Sequence, residues 1–242
     1  MDLKRMLQGG RFYLAVLIAF AGIVAGAAWP ELPIKKALPE GTFLRMEIAG
    51  LKSKTALFLL PVAAVLPCGE EYLRERQNNF LRFLSIRRGR EEYCRDKVLV
   101  TALSGVLVWT AAAVLSLLFF FLLFFAFEER WHWNWEPVPE LLAVLGRGGL
   151  TACVLSSFSA VCALAGGTVY LAFGLPFIVF YAGVILRERY LEGLYCIDPS
   201  EWIRAEQDWG ADGRGLWIFL LLLTLICAVA HRLLLEWRLE EV

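Results

Sequence analysis

The groups in this 242-residue chain that could do chemistry are a glutamate pair, two histidines, six cysteines and one Gly-Lys-rich hexapeptide. Glu70-Glu71, beside an apolar stretch, could support zinc-dependent hydrolysis if it opened an E-E-x-x-x-R run with histidine ligands downstream. The spacing denies this, because the fifth residue after Glu70 is Glu75 rather than Arg. His132 and His231 stand far apart, one among tryptophans and one ending an apolar run, and both read as interfacial residues. Cys68, Cys94, Cys153, Cys162, Cys196 and Cys227 form no C-x-x-C. The spacing for a zinc site or a disulfide framework is missing, and these residues read as small apolar groups. Gly50-Leu51-Lys52-Ser53-Lys54-Thr55 has the letters of a phosphate-binding loop without its G-x-x-x-x-G-K-[ST] order. No catalytic residue, metal site or cofactor is expected in this chain. A net charge of zero gives no reason to expect nucleic acid.

The remaining unusual feature is the segment 68–97, which holds 14 of the chain's 48 formal charges. Leu73, Phe80, Phe83 and Leu84 recur at i, i+7, i+10 and i+11, the spacing of one helix face. Glu71, Glu75 and Arg82 fall opposite and read as the solvated side. Glu71 and Glu75 are a like-charge i, i+4 pair, whereas Glu70 and Arg74 are an attractive one. Gly89 should break the helix, and 90–97 should restart it. Two readings fit these residues. The segment is an amphipathic connector resting its Arg87, Arg88 and Arg90 on anionic lipid, or it is a helical element that docks a protein partner.

The elements that must position this segment are apolar. The chain is 59% hydrophobic, and 12–29, 55–69, 98–127, 150–186 and 216–230 contain no Asp, Glu, Lys or Arg. A helix needs roughly 20 apolar residues to cross a ~30 Å hydrocarbon core. The run 150–186 is too long for one crossing, and Gly166-Gly167 is its natural break. The reading is an all-α integral membrane protein in one transmembrane domain. Six spans are expected, at about 12–29, 51–69, 98–127, 141–165, 168–186 and 216–235. The first is read as a retained span rather than a signal peptide, since Trp29-Pro30 does not resemble a cleavage site. Gly22 and Gly26 form a G-x-x-x-G pair that permits close helix packing, a pattern that also arises by chance in a Gly/Ala-rich helix. Pro61 is expected to kink the second span. Six spans place both termini on one side. Of 24 Lys and Arg, 13 fall on that side, eight of them in 68–97, which favours cytoplasmic termini. Trp131, Trp133 and Trp135 then fit an outer aromatic belt. The loop 187–214 is expected to form a small outer cap, with Ser200 capping a short helix from Glu201. Phe119, Phe120, Phe121, Phe124, Phe125 and Phe127 in the third span read as packing or lipid-facing surface ahead of an apolar path. The span interiors are nearly free of ionisable groups, which argues against an ion-coupled carrier.

Around the charged segment the residues also carry a family pattern. Pro61 and Pro67 precede Glu70-Glu71; Glu75-Arg76 and Phe80 follow; then come Arg87-Arg88-Gly89-Arg90 and a Tyr93-x-x-x-Lys97 lead-in to the third span. This ordered set, over about 45 residues, resembles the permeases of ABC-2-type exporters. The resemblance implies a multi-pass subunit of the bacterial plasma membrane that forms a translocation path. It implies a second permease copy or paralogue, and a separate ATP-binding-cassette ATPase subunit that binds ATP and Mg. The segment 70–97 would be the cytoplasmic coupling element between spans two and three. Glu71, Glu75, Arg76, Phe80, Arg82, Phe83, Ile86, Arg87 and Arg88 would face the ATPase, and Tyr93 and Lys97 would join the segment to span three. The expectation from a different class is a non-transporting membrane scaffold or immunity protein that binds a soluble partner or lipid through 70–97.

Overall fold

A computed structural model describes residues 2–27, 29, 38–77, 89–128, 135–191, 193–210 and 213–240. They form helices α1 (Asp2–Leu7), α2 (Gly10–Gly26), α3 (Thr42–Leu51), α4 (Lys54–Val65), α5 (Glu71–Gln77), α6 (Arg90–Phe124), α7 (Val138–Gly166), α8 (Val169–Arg189), α9 (Glu201–Arg204) and α10 (Arg214–Glu240). Among the described residues there is no strand, only an isolated bridge between Leu38 and Glu128.

Four helices, α6, α7, α8 and α10, are long and apolar enough to cross a membrane. The pair α3–α4, bent by 61°, raises the number to as many as five. The expected first span is the 17-residue α2, about 25 Å long at 1.5 Å per residue and short of a ~30 Å core. The expected second span, 51–69, is a helix only over Lys54–Val65, followed by turns at 66–70. Thr42–Leu51, placed by the sequence in an outer segment, is helical. The bend between α3 and α4 falls at Ser53 rather than Pro61. Ser53 has an extended backbone and accepts the Ala56 N–H at 3.1 Å, so it caps α4 and starts it on a new axis. Gly167, at φ 64°, separates α7 from α8 in a left-handed conformation suited to glycine.

Helix α7 is the centre of the bundle, buried over 78% of its apolar stretch against 17% for α10. Many of its buried positions are small, among them Gly148, Gly149, Ala152, Cys153, Ser156, Ser157, Ser159, Ala160 and Ala163. Small residues let neighbouring backbones approach closely. Gly105 of α6 lies against Ala152, and Gly148 against the Trp109 ring, so α6 and α7 run antiparallel. Gly146 packs on Trp217, and Arg238 donates to the Leu164 carbonyl at 3.0 Å, so α7 and α10 run parallel. Gly22 and Gly26 of α2 face the first turn of α4. A Cβ at Gly22 would lie 3.3 Å from the Ala56 backbone, and one at Gly26 would enter the Ser53 and Thr55 side chains.

These pairings give the bundle two ends. One carries α1, α5, the start of α6 and the end of α10. The other carries the α3–α4 bend, where Lys52 Nζ pairs with Glu140 at 2.6 Å and Arg204 Nε donates to the Lys52 carbonyl at 3.1 Å. The third-span phenylalanines mostly pack inward: Phe120 and Phe124 are buried, and Phe121 and Phe125 meet the Phe43 ring of α3. At α9 the side chain of Ser200 makes no cap. Its hydroxyl and backbone N–H both donate to Asp198 Oδ1, at 2.6 and 2.9 Å.

Candidate functional site

The charged segment meets the bundle through a buried ion network built on two short sequence spacings. Tyr93 and Lys97 are i, i+4 on α6, and Glu71 and Glu75 are i, i+4 on α5, so each pair presents one face. Lys97 Nζ donates to Glu75 Oε1 at 2.7 Å and lies 3.2 Å from Glu71 Oε2. The Tyr93 hydroxyl donates to Glu75 Oε2 at 2.7 Å, and Lys97 Nζ stands 5.8 Å from the Tyr93 ring centroid. Glu75 and Lys97 are 6% and 3% exposed. The face expected to be solvated is therefore buried. The like-charge pair is tolerated because both carboxylates share one ammonium. Burial, then the Glu75 and Glu71 carboxylates, push the Tyr93 phenol far up, so it stays protonated and donating. Tyr72, Leu73, Tyr93, Cys94, Leu164 and Leu235 close an apolar shell around the network.

Two further ties fix the same end of the bundle. Arg11 of α2 and Arg74 of α5 both pair with the buried Glu70, Arg74 at 3.7 Å. Arg90 pairs with Glu240 at 3.1 Å and also donates to the Glu236 carbonyl. A cleft of about 480 Å³ opens between α1–α2 and α5, lined by Arg5, Arg11, Glu70, Glu71, Arg74 and Glu75 among others. His231, expected at an interface, is 3% exposed, and its Nδ1 has no hydrogen-bond partner among the described residues. It lines a void of about 10 Å³ together with Lys97, Glu71, Tyr72 and Thr101, room for about one water.

Of the residues singled out by sequence, Glu71, Glu75, Tyr93 and Lys97 come together here. Arg76 is on the α5 backbone, with its side chain outside the described atoms. Phe80, Arg82, Phe83, Ile86, Arg87 and Arg88 lie outside the described residues, as do Trp131, Trp133 and His132. Gly22 and Gly26 sit apart from the network, at the α2–α4 contact.

Sequence reasoning did not single out Arg11 and read His231 as interfacial; both reach the site only through folding. It also missed Glu47 in the middle of α3. Glu47 is 1% exposed and accepts from the Ser116 hydroxyl at 2.8 Å, with its second oxygen unpartnered among the described residues. Glu128 was not singled out either. It caps α3 by accepting the Gly41 and Phe43 N–H groups at 3.2 and 3.3 Å. Both Glu75 oxygens are occupied, by the Lys97 ammonium and the Tyr93 hydroxyl, so the network ties α5 to α6. The six cysteines are free. No group of three or more His, Cys, Asp or Glu suited to a metal ion occurs among the described residues. In comparisons with known proteins, the chain matches no family model and no curated protein.

Proposed function

We propose that this chain is the membrane-spanning permease subunit of an ATP-binding-cassette exporter, with ATP bound and hydrolysed in a partner subunit. The observation that carries the reading is the buried Lys97–Glu75–Glu71–Tyr93 network. It fastens α5, the first helix of the charged segment, to the longest apolar helix of the bundle. A partner that displaced the segment would move α6 with it, because a rigid element passes motion on as a body. The ordered residues from Pro61 to Lys97 supply the family resemblance. In this reading α2, α3–α4, α6, α7, α8 and α10 make six crossings, the Lys97 end faces the cytoplasm, and two permease copies or paralogues form the path.

Co-expression with an ATP-binding-cassette subunit encoded beside it tests the reading. The wild-type chain is expected to copurify with that subunit from membranes and to raise its ATP hydrolysis in vesicles. Phe83→Asp and Arg87→Glu are each expected to abolish copurification while leaving membrane insertion intact. Full ATPase binding by both variants defeats the docking assignment. A lone gene with no such neighbour points to a scaffold or immunity protein instead.

A further inference from the structure

At the end of the bundle opposite the Lys97 network, a pocket of about 310 Å³ lies between α7, the start of α10 and the loop after α9. Among the described residues its lining includes Arg147, Arg214, Gln207, Trp209 and Trp217, and no carboxylate. Two arginines therefore line one hollow. Among the described residues neither has a hydrogen-bonded or ion-paired acid: Glu140 pairs with Lys52, and Glu201 accepts the Gln207 N–H at 2.6 Å. Arg147 Nε and Trp209 Nε1 are shielded from solvent and have no hydrogen-bond partner among the described residues. Buried donors without acceptors are costly, so a donor-rich hollow favours an anion.

The walls are constructed features. The far edge of the Trp217 ring reaches α7 so closely that a Cβ at Gly146 would stand 2.5 Å from it. Trp209 packs between Tyr195 and Phe219, with ring centroids at 4.9 and 5.3 Å, and its carbonyl occupies the space a side chain at Gly215 would need. The 27-residue α10 begins at the pocket, so the positive end of its dipole adds to the two arginines.

We infer that this pocket is an oxyanion-binding site for a phosphate group, held by Arg147 and Arg214 and flanked by the Trp209 and Trp217 rings. Arginine forks match phosphate oxygens in two-point contact, and the indoles give an apolar flank to whatever carries the phosphate. The phosphate can belong to a lipid headgroup or be free in solution. The inference is independent of the transport reading, since it concerns other residues at the other end of the molecule.

Purified full-length protein in uncharged detergent separates the sources. Inorganic phosphate is titrated against the melting midpoint, and phosphatidylglycerol retention is read by native mass spectrometry. A saturable rise of the midpoint identifies free phosphate, and a retained lipid identifies a headgroup. Either result supports the site if Arg214→Gln, at an exposed helix start, weakens binding at least tenfold and Arg147→Lys weakens it less than Arg147→Gln. Binding of neither probe, or binding by Arg214→Gln and Arg147→Gln equal to wild type, overturns it.

Discussion

Lys97 is one ammonium serving two carboxylates, and removing it leaves both in a nearly closed shell. Breaking such a buried pair costs about 3–5 kcal/mol. Lys97→Met is therefore expected to lower the unfolding free energy in detergent by that order. Glu75→Gln added to Lys97→Met should restore part of it, because the amide carries no charge to strand. A double variant no more stable than the single one would remove the network from the account. Tyr93→Phe deletes only the hydroxyl that donates to Glu75 and should cost about 1.5–3 kcal/mol, the range for a hydrogen bond to a charged group. Glu47 is the opposite case. With only the Ser116 hydroxyl as partner among the described residues, it loses little if neutralised, so thermal unfolding of Glu47→Gln is expected at or above the wild-type temperature.

The α3–α4 break depends on Ser53, and the α2–α4 contact on two glycines. Ser53→Ala removes the oxygen that caps Ala56 and should cost about 1 kcal/mol. Gly26→Leu forces a side chain into the space of Ser53 and Thr55, and overpacking of this kind costs about 1–3 kcal/mol. Both effects are measured by thermal unfolding in detergent, and Gly10→Ala, which meets open space, is the neutral reference. The long apolar helices α6, α7, α8 and α10 were legible because they lack charge over many residues, and Gly166-Gly167 showed where α7 had to stop. Helix α3 was not legible. Arg45 and Glu47 interrupt its apolar pattern, and only Ser116 and the Glu128 cap make their neighbourhood acceptable inside the bundle.

Across the whole molecule, the Arg90–Glu240 and Arg11–Glu70 contacts bring α1, α5 and the end of α10 to one face. Six crossings with cytoplasmic termini make a concrete expectation. In a Cys196→Ser background, with the other five cysteines buried, Leu3→Cys and Glu240→Cys should resist a membrane-impermeant thiol reagent in intact cells. Glu206→Cys, at the opposite end, should react. Equal labelling at the two ends would reject the six-crossing arrangement. Exposed leucines and isoleucines run along α6, α8 and α10, as expected where the surrounding solvent is lipid rather than water.

The sequence alone determined that this is a membrane protein of long helices, with its charge concentrated in one segment between two of them. Composition and period suffice for that, because a hydrocarbon core admits few charges and requires backbone hydrogen bonds within each helix. It also placed Glu71, Glu75, Tyr93 and Lys97 in that segment. It left the two glutamates on the solvated side, since a like-charge pair has no visible partner along the chain. Only the tertiary structure decided that Lys97, 22 residues beyond Glu75, folds back to neutralise both. Burial makes charges interact strongly only with what packs beside them, and which groups pack beside them is settled by how the helices meet.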